Sequence, residues 1–417
     1  MSIRIDPDRL LTDLETLRSF GRKGTGVIRP AFSDADIAAR IWLSERFADA
    51  GLVSHLDCFG NLFGLPTGDH PCFLVGSHSD SQPEGGWLDG SYGVVAGLEL
   101  ARASRENGGP EVAVVSFQDE EGRFAPLGGS GFWVNQTLPE QVDDLRDVDG
   151  VTLAQARAAM AGLQISPPVD PGRFRAFIEL HIEQGPVLDG AGEQLGVVES
   201  IVGIRSERFV FTGQQNHAGT TPMHLRRDAF QGLVAFTTLA NHKLDAVIDS
   251  RTVWTIGRVA LHPNAASIVP GRVDFTVQWR DGDEERLEVM TEIFRGVATN
   301  VAAERGLGFS RSEFVRIPPH RCDPGLVAAL SDAAELVAPG RWRRMPSGAL
   351  HDAANLARRM PVAMLFVPSI KGISHSFDED TDRHYLVRGV EALARAVAYV
   401  ASLERGATGN GGPHFSG

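Results

Sequence analysis

A chain of 417 residues is long enough for two or three domains. Hydrophobic residues make up 42% of it and charged residues 22%, an ordinary globular mixture that excludes a disordered chain, a coiled coil and a disulfide-stapled miniprotein. The 53 Asp and Glu residues outnumber the 40 Lys and Arg residues, so the net charge is −13. Because nucleic-acid binders usually present a basic surface, we expect no nucleic-acid partner.

The cellular compartment is suggested by three features of the sequence. The segment MSIRIDPDRLLTDLETLRSFG carries acids and has no apolar core, so it does not resemble a signal peptide. No apolar run approaches the ~20 residues of a membrane helix. Cys58, Cys72 and Cys322 form no CxxC pair, which favours free, buried thiols. We therefore expect a cytoplasmic protein without a membrane partner, and a flexible Gly-rich tail over 406–417.

Short apolar runs alternate with helical patterns through most of the chain. In chain order, we predict a helix over 34–50, a strand over 73–76, a helix over 94–105, strands over 112–117, 177–182 and 362–367, and a helix over 383–403. The first helix begins after a capping Ser33 and ends at Gly51. Alternating strands and helices predict an α/β fold with a largely parallel sheet.

The middle of the chain has a different pattern. In chain order, it predicts a strand over 208–212, a helix over 225–242, strands over 252–261 and 272–279, a helix over 284–305 and a strand over 308–317. This β-α-β-β-α-β order is the ferredoxin-like unit. We therefore predict one α/β domain formed by residues 1–205 and 320–405, interrupted by an inserted domain over 206–319.

Polar residues follow the predicted strands of the α/β domain, at the edge of the sheet where ligands usually bind. Five of them have the side chains that a borderline divalent metal prefers: His78, Asp89, Glu121, His181 and His375. Two metal ions about 3.5–4 Å apart and bridged by one carboxylate would use five ligands, and Asp89 lies in a Gly-bounded turn that suits the bridge. The alternative is that these residues are scattered, separately hydrogen-bonded polar groups.

Glu120 and Glu121 are predicted to have different roles. Adjacent residues at a strand end point to opposite sides, so one carboxylate can bind metal while the other faces the cleft. A free carboxylate beside an acidified water is a suitable general base. The alternative is a solvated acidic turn.

Seven motifs then resemble one known family. They are GSHSDSQPEGGWLDGSYGVVAGLE, QDEEGRF, ELHIEQGPVL, NHAGTTPM, PNAASIVPGRV, MPSGALHDA and GISHSFDEDT. Together they resemble the amidase/hydantoinase/carbamoylase branch of the M20 metallopeptidase superfamily. The resemblance implies a dimetal aminopeptidase-like α/β catalytic domain with an inserted ferredoxin-like lid that forms the interface of a homodimer.

The resemblance also implies roles for individual residues. Two divalent ions (zinc, manganese, cobalt or nickel) would be bridged by Asp89. His78 and His181 would complete one metal site, and Glu121 and His375 would complete the other. The remaining implied roles are Glu120 as the general base, Asp80 as a support for the ligands, His217 as an oxyanion-stabilising residue in the partner subunit's active site, Arg280 as the group that binds the substrate carboxylate, and Gln184 as a contact of the amide or ureido group.

Several positions depart from the family pattern. Ser267 stands where Asn is common and Gln215 where Ala is common, and both are expected to lie near the substrate. The other departures are Gln278, Trp279, Leu350, Phe377 and the shortened EEGRF. Because none removes a metal ligand, we expect several of them to line or shape the substrate pocket.

The predicted activity is hydrolysis of a C–N bond in a small carboxylate-bearing substrate, most readily an N-carbamoyl (ureido) acid. One alternative is a hydrolase of N-acyl amino acids, other amides or dipeptides. Another, from a different class, is a non-catalytic protein that binds a small molecule. Ammonia release from ureido acids separates the first activity from the second, and any turnover excludes the third.

Overall fold

The computed structural model describes residues 3–68 and 70–408, with only the backbone for residues 404–408. Residues 409–417 of the predicted tail lie outside the described residues, whereas 406–408 continue the last helix. The described residues fold into two compact units, one formed by those before residue 200 together with those after residue 320, and the other by residues 200–320. The smaller unit begins before the predicted domain boundary at residue 206. The strand that was predicted to begin at residue 208 already begins at Gly203.

The secondary structure is as follows. Within the described residues the strands are β1 (Arg22–Lys23), β2 (Gly26–Val27), β3 (Val53–Leu56), β4 (Leu62–Leu65), β5 (Cys72–His78), β6 (Val112–Phe117), β7 (Phe174–Ile182), β8 (Leu195–Ile201), β9 (Gly203–Thr212), β10 (Asn216–His217), β11 (Val253–His262), β12 (Ile268–Val269), β13 (Arg272–Asp281), β14 (Gly308–Ile317), β15 (His320–Arg321), β16 (Trp342–Ser347) and β17 (Val362–Val367). The α-helices of the same residues are α1 (Pro7–Ser19), α2 (Asp34–Asp49), α3 (Ser91–Glu106), α4 (Gly128–Val134), α5 (Leu153–Arg157), α6 (Val187–Ala191), α7 (Ala229–Leu244), α8 (Glu284–Glu304), α9 (Pro324–Val337), α10 (Asp352–Leu356) and α11 (Arg383–Thr408).

The larger unit is built on a mixed sheet with the strand order β15-β8-β17-β7-β5-β6-β4-β3, and β16 pairs with β8. Its centre is parallel, because β5 pairs in parallel with β6 and β7, and β7 pairs in parallel with β17. Strands β5, β6 and β17 are buried at every residue, as expected for a parallel sheet covered on both faces. The predicted α/β class is therefore confirmed, and four strand ends meet at one edge.

The smaller unit is an antiparallel sheet with the order β11-β13-β9-β14, against which α7 and α8 pack. Its element order is β-α-β-β-α-β, so the predicted ferredoxin-like fold is confirmed. Its core is rich in aromatic side chains, including the buried Phe209, Phe275 and Phe294. Trp279 belongs to this core, and its indole Nε1 donates to the Leu287 carbonyl at 3.2 Å. Trp279, one of the departures from the family pattern, is therefore a core residue of this unit.

The three cysteines are free thiols, with Cys72 and Cys322 buried and Cys58 half-buried. The prediction of three buried thiols is thus wrong for Cys58. None of the helices in the described part of the chain is both long and apolar enough to cross a membrane.

Candidate metal centre

Two histidines meet where β5 and β7 end. His78 is the last residue of β5, and His181 is the penultimate residue of β7; both side chains are buried. The Nδ1 atom of His78 lies 3.0 Å from the Asp80 carbonyl, and that of His181 lies 2.8 Å from the Ile182 carbonyl. A ring N–H that donates to a carbonyl leaves the other nitrogen with a lone pair. Both histidines can therefore offer Nε2 as a metal ligand.

Asp89 lies against both histidines, in the turn that leads into α3. Its Oδ1 is 3.1 Å from Nε2 of His181 and 3.8 Å from Nε2 of His78. The next residue, Gly90, has φ +61°, and a Cβ on it would lie 2.3 Å from the imidazole of His78. Glycine is therefore required there both by the backbone conformation and by the proximity of the ring.

The second carboxylate oxygen of Asp89 faces another pair of residues. Oδ2 lies 3.2 Å from Nε2 of His375, and this nitrogen lies 3.6 Å from Oε2 of Glu121. His375 follows β17 in an irregular loop, has φ +51°, and its side chain is 49% exposed. Gln82 donates to Oε2 of Glu121 at 2.7 Å, which fixes the orientation of that carboxylate.

The five predicted ligands thus come together as two groups that share Asp89. His78, Asp89 and His181 form one group, and Asp89, Glu121 and His375 form the other, each with ligand atoms within 4.8 Å of one another. Imidazole nitrogens and carboxylate oxygens are the ligands that zinc and similar divalent ions take in proteins. The residues present therefore fit a pair of divalent cations on either side of one shared carboxylate.

The electrostatics of the centre reflect the crowding of buried charges. Burial raises the pKa of Glu120 well above its usual range, and burial together with Asp89 raises the pKa of Glu121 to about 7. Burial would lower the pKa of His78, but the charges of Glu120 and other nearby carboxylates raise it well above its ordinary value. The hydrogen bond to Asp89 raises the pKa of His375 to about 9. The apo centre therefore holds protons that cations would displace.

Glu120 and Glu121 lie beside different histidines of the centre. Oε2 of Glu120 lies 3.5 Å from Nε2 of His78, whereas Glu121 belongs to the second group. Asp80 lies in neither group; its carboxylate accepts from the main-chain N–H of Glu120 at 3.4 Å and from that of Glu121 at 3.2 Å. Asp80 thus supports the turn that carries both glutamates.

Gln184 lies inside the centre. Its Nε2 donates to Oδ2 of Asp89 at 3.0 Å and contacts Nε2 of His375 and Oγ of Ser374, each at 3.3 Å. The residue has φ +56° and lies two residues after the end of β7. The side chain predicted to hold the substrate amide therefore contacts the second ligand group.

A third group of possible ligands lies behind the first one and combines Glu179, His181 and His351. Its atoms already have hydrogen-bond partners: Glu179 accepts from Ser77 Oγ at 2.6 Å and from a main-chain amide at 3.0 Å, and Nε2 of His351 lies 2.8 Å from Ser347 Oγ. The rings of His181 and His351 are 4.6 Å apart. This group packs behind the His181 ligand and does not form a further metal site.

Sequence reasoning missed two contacts of the centre. Gln82 binds Glu121, and Glu379 binds the main chain at Asp89. Each follows a predicted ligand by four residues, since Gln82 comes after His78 and Glu379 after His375. A polar residue four positions beyond a ligand in an irregular segment was the available signal.

Four predicted site residues belong to the smaller unit. His217 is exposed on β10, and its Nδ1 accepts from main-chain N–H groups at 3.0 and 3.2 Å. Ser267 lies beside His217, because the Ser267 carbonyl accepts from the N–H of residue 218 at 3.0 Å. Gln215 is exposed and precedes His217 by two residues. Arg280 lies near the end of β13, where its Nε and Nη2 donate to Oε1 of Gln278 at 3.2 and 3.0 Å.

Comparison with known proteins places this centre in context. The profile of Peptidase family M20/M25/M40 matches residues 74–399. An N-carbamoyl-L-amino-acid amidohydrolase of Paenarthrobacter aurescens is 36% identical, covering 94% of this chain and 97% of its own length. An allantoate amidohydrolase of Escherichia coli (strain K12) is 34% identical, with coverage of 91% and 95%. The crystal structure of an amidase of the hydantoinase/carbamoylase family from Burkholderia phymatum superposes with a TM-score of 0.90 at 42% identity, covering 97% of this chain and 99% of that one.

Proposed function

The chain belongs to Peptidase family M20/M25/M40, and from this premise we propose that it is a dimetal amidohydrolase of ureido acids. Its substrate would be a small N-carbamoyl acid, cleaved to the free amine, ammonia and CO2. The observation that carries the proposal is the position of Asp89, whose two oxygens face two separate ligand groups. The substrate class is supported by relatives named N-carbamoyl-L-amino-acid amidohydrolase and allantoate amidohydrolase.

We propose that Asp89 bridges the two cations, with His78 and His181 completing one site and Glu121 and His375 the other. The donor set suits zinc, manganese, cobalt or nickel. When bound, such ions lower the pKa of a water molecule from 15.7 toward about 7, which makes hydrolysis feasible at neutral pH.

Glu120 is the proposed general base. Its carboxylate lies beside the first ligand group, yet it belongs to neither group, so it is available to accept a proton. Burial raises the pKa of Glu120, and a more basic carboxylate accepts a proton more readily near neutral pH. Glu120 would take the proton of the attacking water and deliver it to the leaving nitrogen.

The smaller unit supports a homodimer in which His217 serves the partner's active site. His217 lies at the end of the sheet where β13 begins, whereas Arg280 lies near the end of β13. The eight steps from residue 272 to residue 280 span about 26 Å at roughly 3.3 Å per residue. Because one small substrate cannot contact both ends, we propose that Arg280 binds its carboxylate and that His217 from the partner polarises its carbonyl.

We propose the cytoplasm as the site of the reaction. Cys58, Cys72 and Cys322 are free thiols, and thiols persist in a reducing compartment.

A substrate panel tests the activity. The purified protein loaded with Mn²⁺, Co²⁺ or Zn²⁺ should release ammonia from N-carbamoyl amino acids and related ureido acids. The matched control is Glu120→Gln, which should release none above background because it lacks the base. If matched N-acyl amino acids are hydrolysed and ureido acids are not, the substrate proposal fails while the dimetal hydrolase stands.

Mixing two inactive variants tests the shared site. If His217 acts in the partner, each active site uses His181 from its own subunit and His217 from the other. His217→Ala and His181→Ala then remove residues that two different subunits supply to one site. Random exchange would then give heterodimers with one intact site, restoring about a quarter of the wild-type activity. If His217 acted within its own subunit, every site would keep one lesion and the mixture would stay inactive.

A further inference from the structure

Glu379 is buried at the point where two segments of the metal centre meet, although neither ligand group contains it. Its Oε1 accepts from the main-chain N–H of Leu88 at 3.1 Å and from that of Asp89 at 3.0 Å. Its Oε2 accepts from Oγ of Ser374 at 2.7 Å. The Glu379 carboxylate therefore connects the turn that carries Asp89 to Ser374, the residue before His375.

The turn is adapted to this carboxylate. A Cβ on Gly86 would lie 1.9 Å from Cδ and Oε1 of Glu379, so any larger residue at position 86 would displace the carboxylate. The hydrogen bonds to Leu88 and Asp89 connect segments that are 291 and 290 residues apart in sequence.

The loop that carries His375 needs external support. Lys371 and His375 are non-glycine residues with φ of +57° and +51°, a sparsely populated conformation that persists only where the surroundings enforce it. His78 and His181 have Nδ1 atoms close to main-chain carbonyls. Among the contacts of the described residues, no hydrogen bond holds Nδ1 of His375. Its ring is therefore placed mainly by the path of the loop.

We propose that Glu379 is a positioning residue that holds the His375 loop against the Asp89 turn, and thereby sets the affinity of the second metal site. The inference rests on the proposed pair of cations. Groups that orient metal ligands typically contribute about 10–100-fold to metal affinity. The first site depends less on Glu379, because His78 and His181 are fixed by their own strands.

Mn²⁺ binding tests the proposal. Titration of the metal-free full chain against a chromophoric chelator should give two binding steps in the wild type. Glu379→Ala should weaken one step by about 10–100-fold and leave the other within a few-fold. Glu379→Gln should restore the weakened step, because its amide oxygen can accept from both N–H groups and its NH₂ can donate to Ser374 Oγ.

Two further variants make the result decisive. His375→Ala is the matched control and should weaken the same step as Glu379→Ala. Ser374→Ala removes the bond to Oε2 of Glu379 and the contact with Nε2 of Gln184, but it keeps the two hydrogen bonds that Oε1 of Glu379 accepts from main-chain amides. It should therefore weaken that step less than Glu379→Ala, and it carries the test if Glu379→Ala does not fold. A thermal unfolding scan of each metal-free variant separates a local effect from general destabilisation.

The outcomes separate the two proposals. If the wild type binds fewer than two ions, the dimetal function itself fails. If the wild type binds two ions and both steps are unchanged in Glu379→Ala, or in Ser374→Ala where that variant replaces it, the positioning role is refuted and the dimetal function stands. Equal weakening of both steps would also refute it, because Glu379 would then act on both sites alike.

Discussion

The two ligand groups share Asp89, yet they are held in different ways. In the first group, His78 and His181 are 2% and 1% exposed, lie on central strands, and have Nδ1 atoms close to main-chain carbonyls. In the second group, His375 is 49% exposed on a loop, and Glu121 is oriented by the side chain of Gln82. The first group is thus part of the sheet, and the second depends on contacts between irregular segments.

This difference predicts an order of metal binding. Ligands that are fixed before the ion arrives lose little conformational entropy on binding, whereas a half-exposed loop histidine must be ordered. We therefore expect a tight ion at His78 and His181 and a more easily removed ion at Glu121 and His375. Mild chelation should produce a one-metal form.

Replacing the shared ligand should have the largest effect. Asp89→Ala removes a carboxylate oxygen from both groups and leaves His78 and His181 without their common partner. We expect elemental analysis after dialysis to find neither ion bound and activity to fall further than in any variant described below. Retention of one full equivalent of metal would show that the first group binds an ion without Asp89.

Glu120→Gln should separate chemistry from metal binding. The amide cannot accept the proton, and general-base catalysis typically contributes about 10²–10⁴-fold, so kcat should fall by that factor. Because Glu120 belongs to neither ligand group, elemental analysis should still find two ions per subunit. Unchanged turnover would overturn the assignment of the base, and loss of an ion would make Glu120 a ligand.

The second group contains two proposed ligands whose protons a cation would displace near neutral pH. In the metal-free protein the pKa of His375 is raised to about 9 and that of Glu121 to about 7, and cations bind the deprotonated forms of both. Between pH 7 and 9 one proton must leave His375, so Mn²⁺ affinity should rise about tenfold per pH unit. Below pH 7 the proton on Glu121 must leave as well, so the affinity should fall more steeply as the pH decreases.

Chelator competition between pH 6 and 8.5 measures this slope. Glu121→Gln is the control, because it removes the group that titrates near pH 7 and should abolish the steepening below that pH. If the Mn²⁺ affinity of the weaker binding step does not change with pH, the second ion displaces no protons.

The five proposed ligands were named from the sequence because each lies in a motif that resembles the family, whereas the residue types alone left separately hydrogen-bonded polar groups as an alternative. His78 and His181, for example, lie in GSHSD and ELHIEQG. The bonds from Glu379 to Leu88 and Asp89 were not predictable, because they join segments about 290 residues apart through main-chain atoms that any sequence would provide.

Trp279 departs from the family pattern, and the departure alone did not say where its side chain lies. Strand alternation places it on the same face as Phe275 and Val277, both buried. Gln278 and Arg280 are on the opposite face. The period of the strand, which is visible in RVDFTVQWR, was the better guide.

The smallest effect is expected at Trp87, which is buried two residues before Asp89 in the same turn. Its buried ring lies between two guanidinium groups, with Cζ of Arg18 and of Arg383 each 4.5 Å from the ring centroid. Glu15 bridges the two arginines, at 3.4 Å from Arg18 and 3.1 Å from Arg383. Trp87→Phe weakens both cation–π contacts and leaves a small cavity, so it should lower the free energy of unfolding by about 1–2 kcal/mol.

Trp87→Phe should leave both Mn²⁺ steps nearly unchanged, because the Phe side chain still fills most of the site and Glu379 still binds the amides of Leu88 and Asp89. Arg383→Met is the control, since it removes one cation and keeps the aromatic ring; chemical denaturation should show a smaller loss of stability. If Trp87→Phe instead weakened binding of the second ion as much as Glu379→Ala does, the second site would depend on every contact that holds the Asp89 turn. The Glu379 contact would then not explain the difference between the two ligand groups.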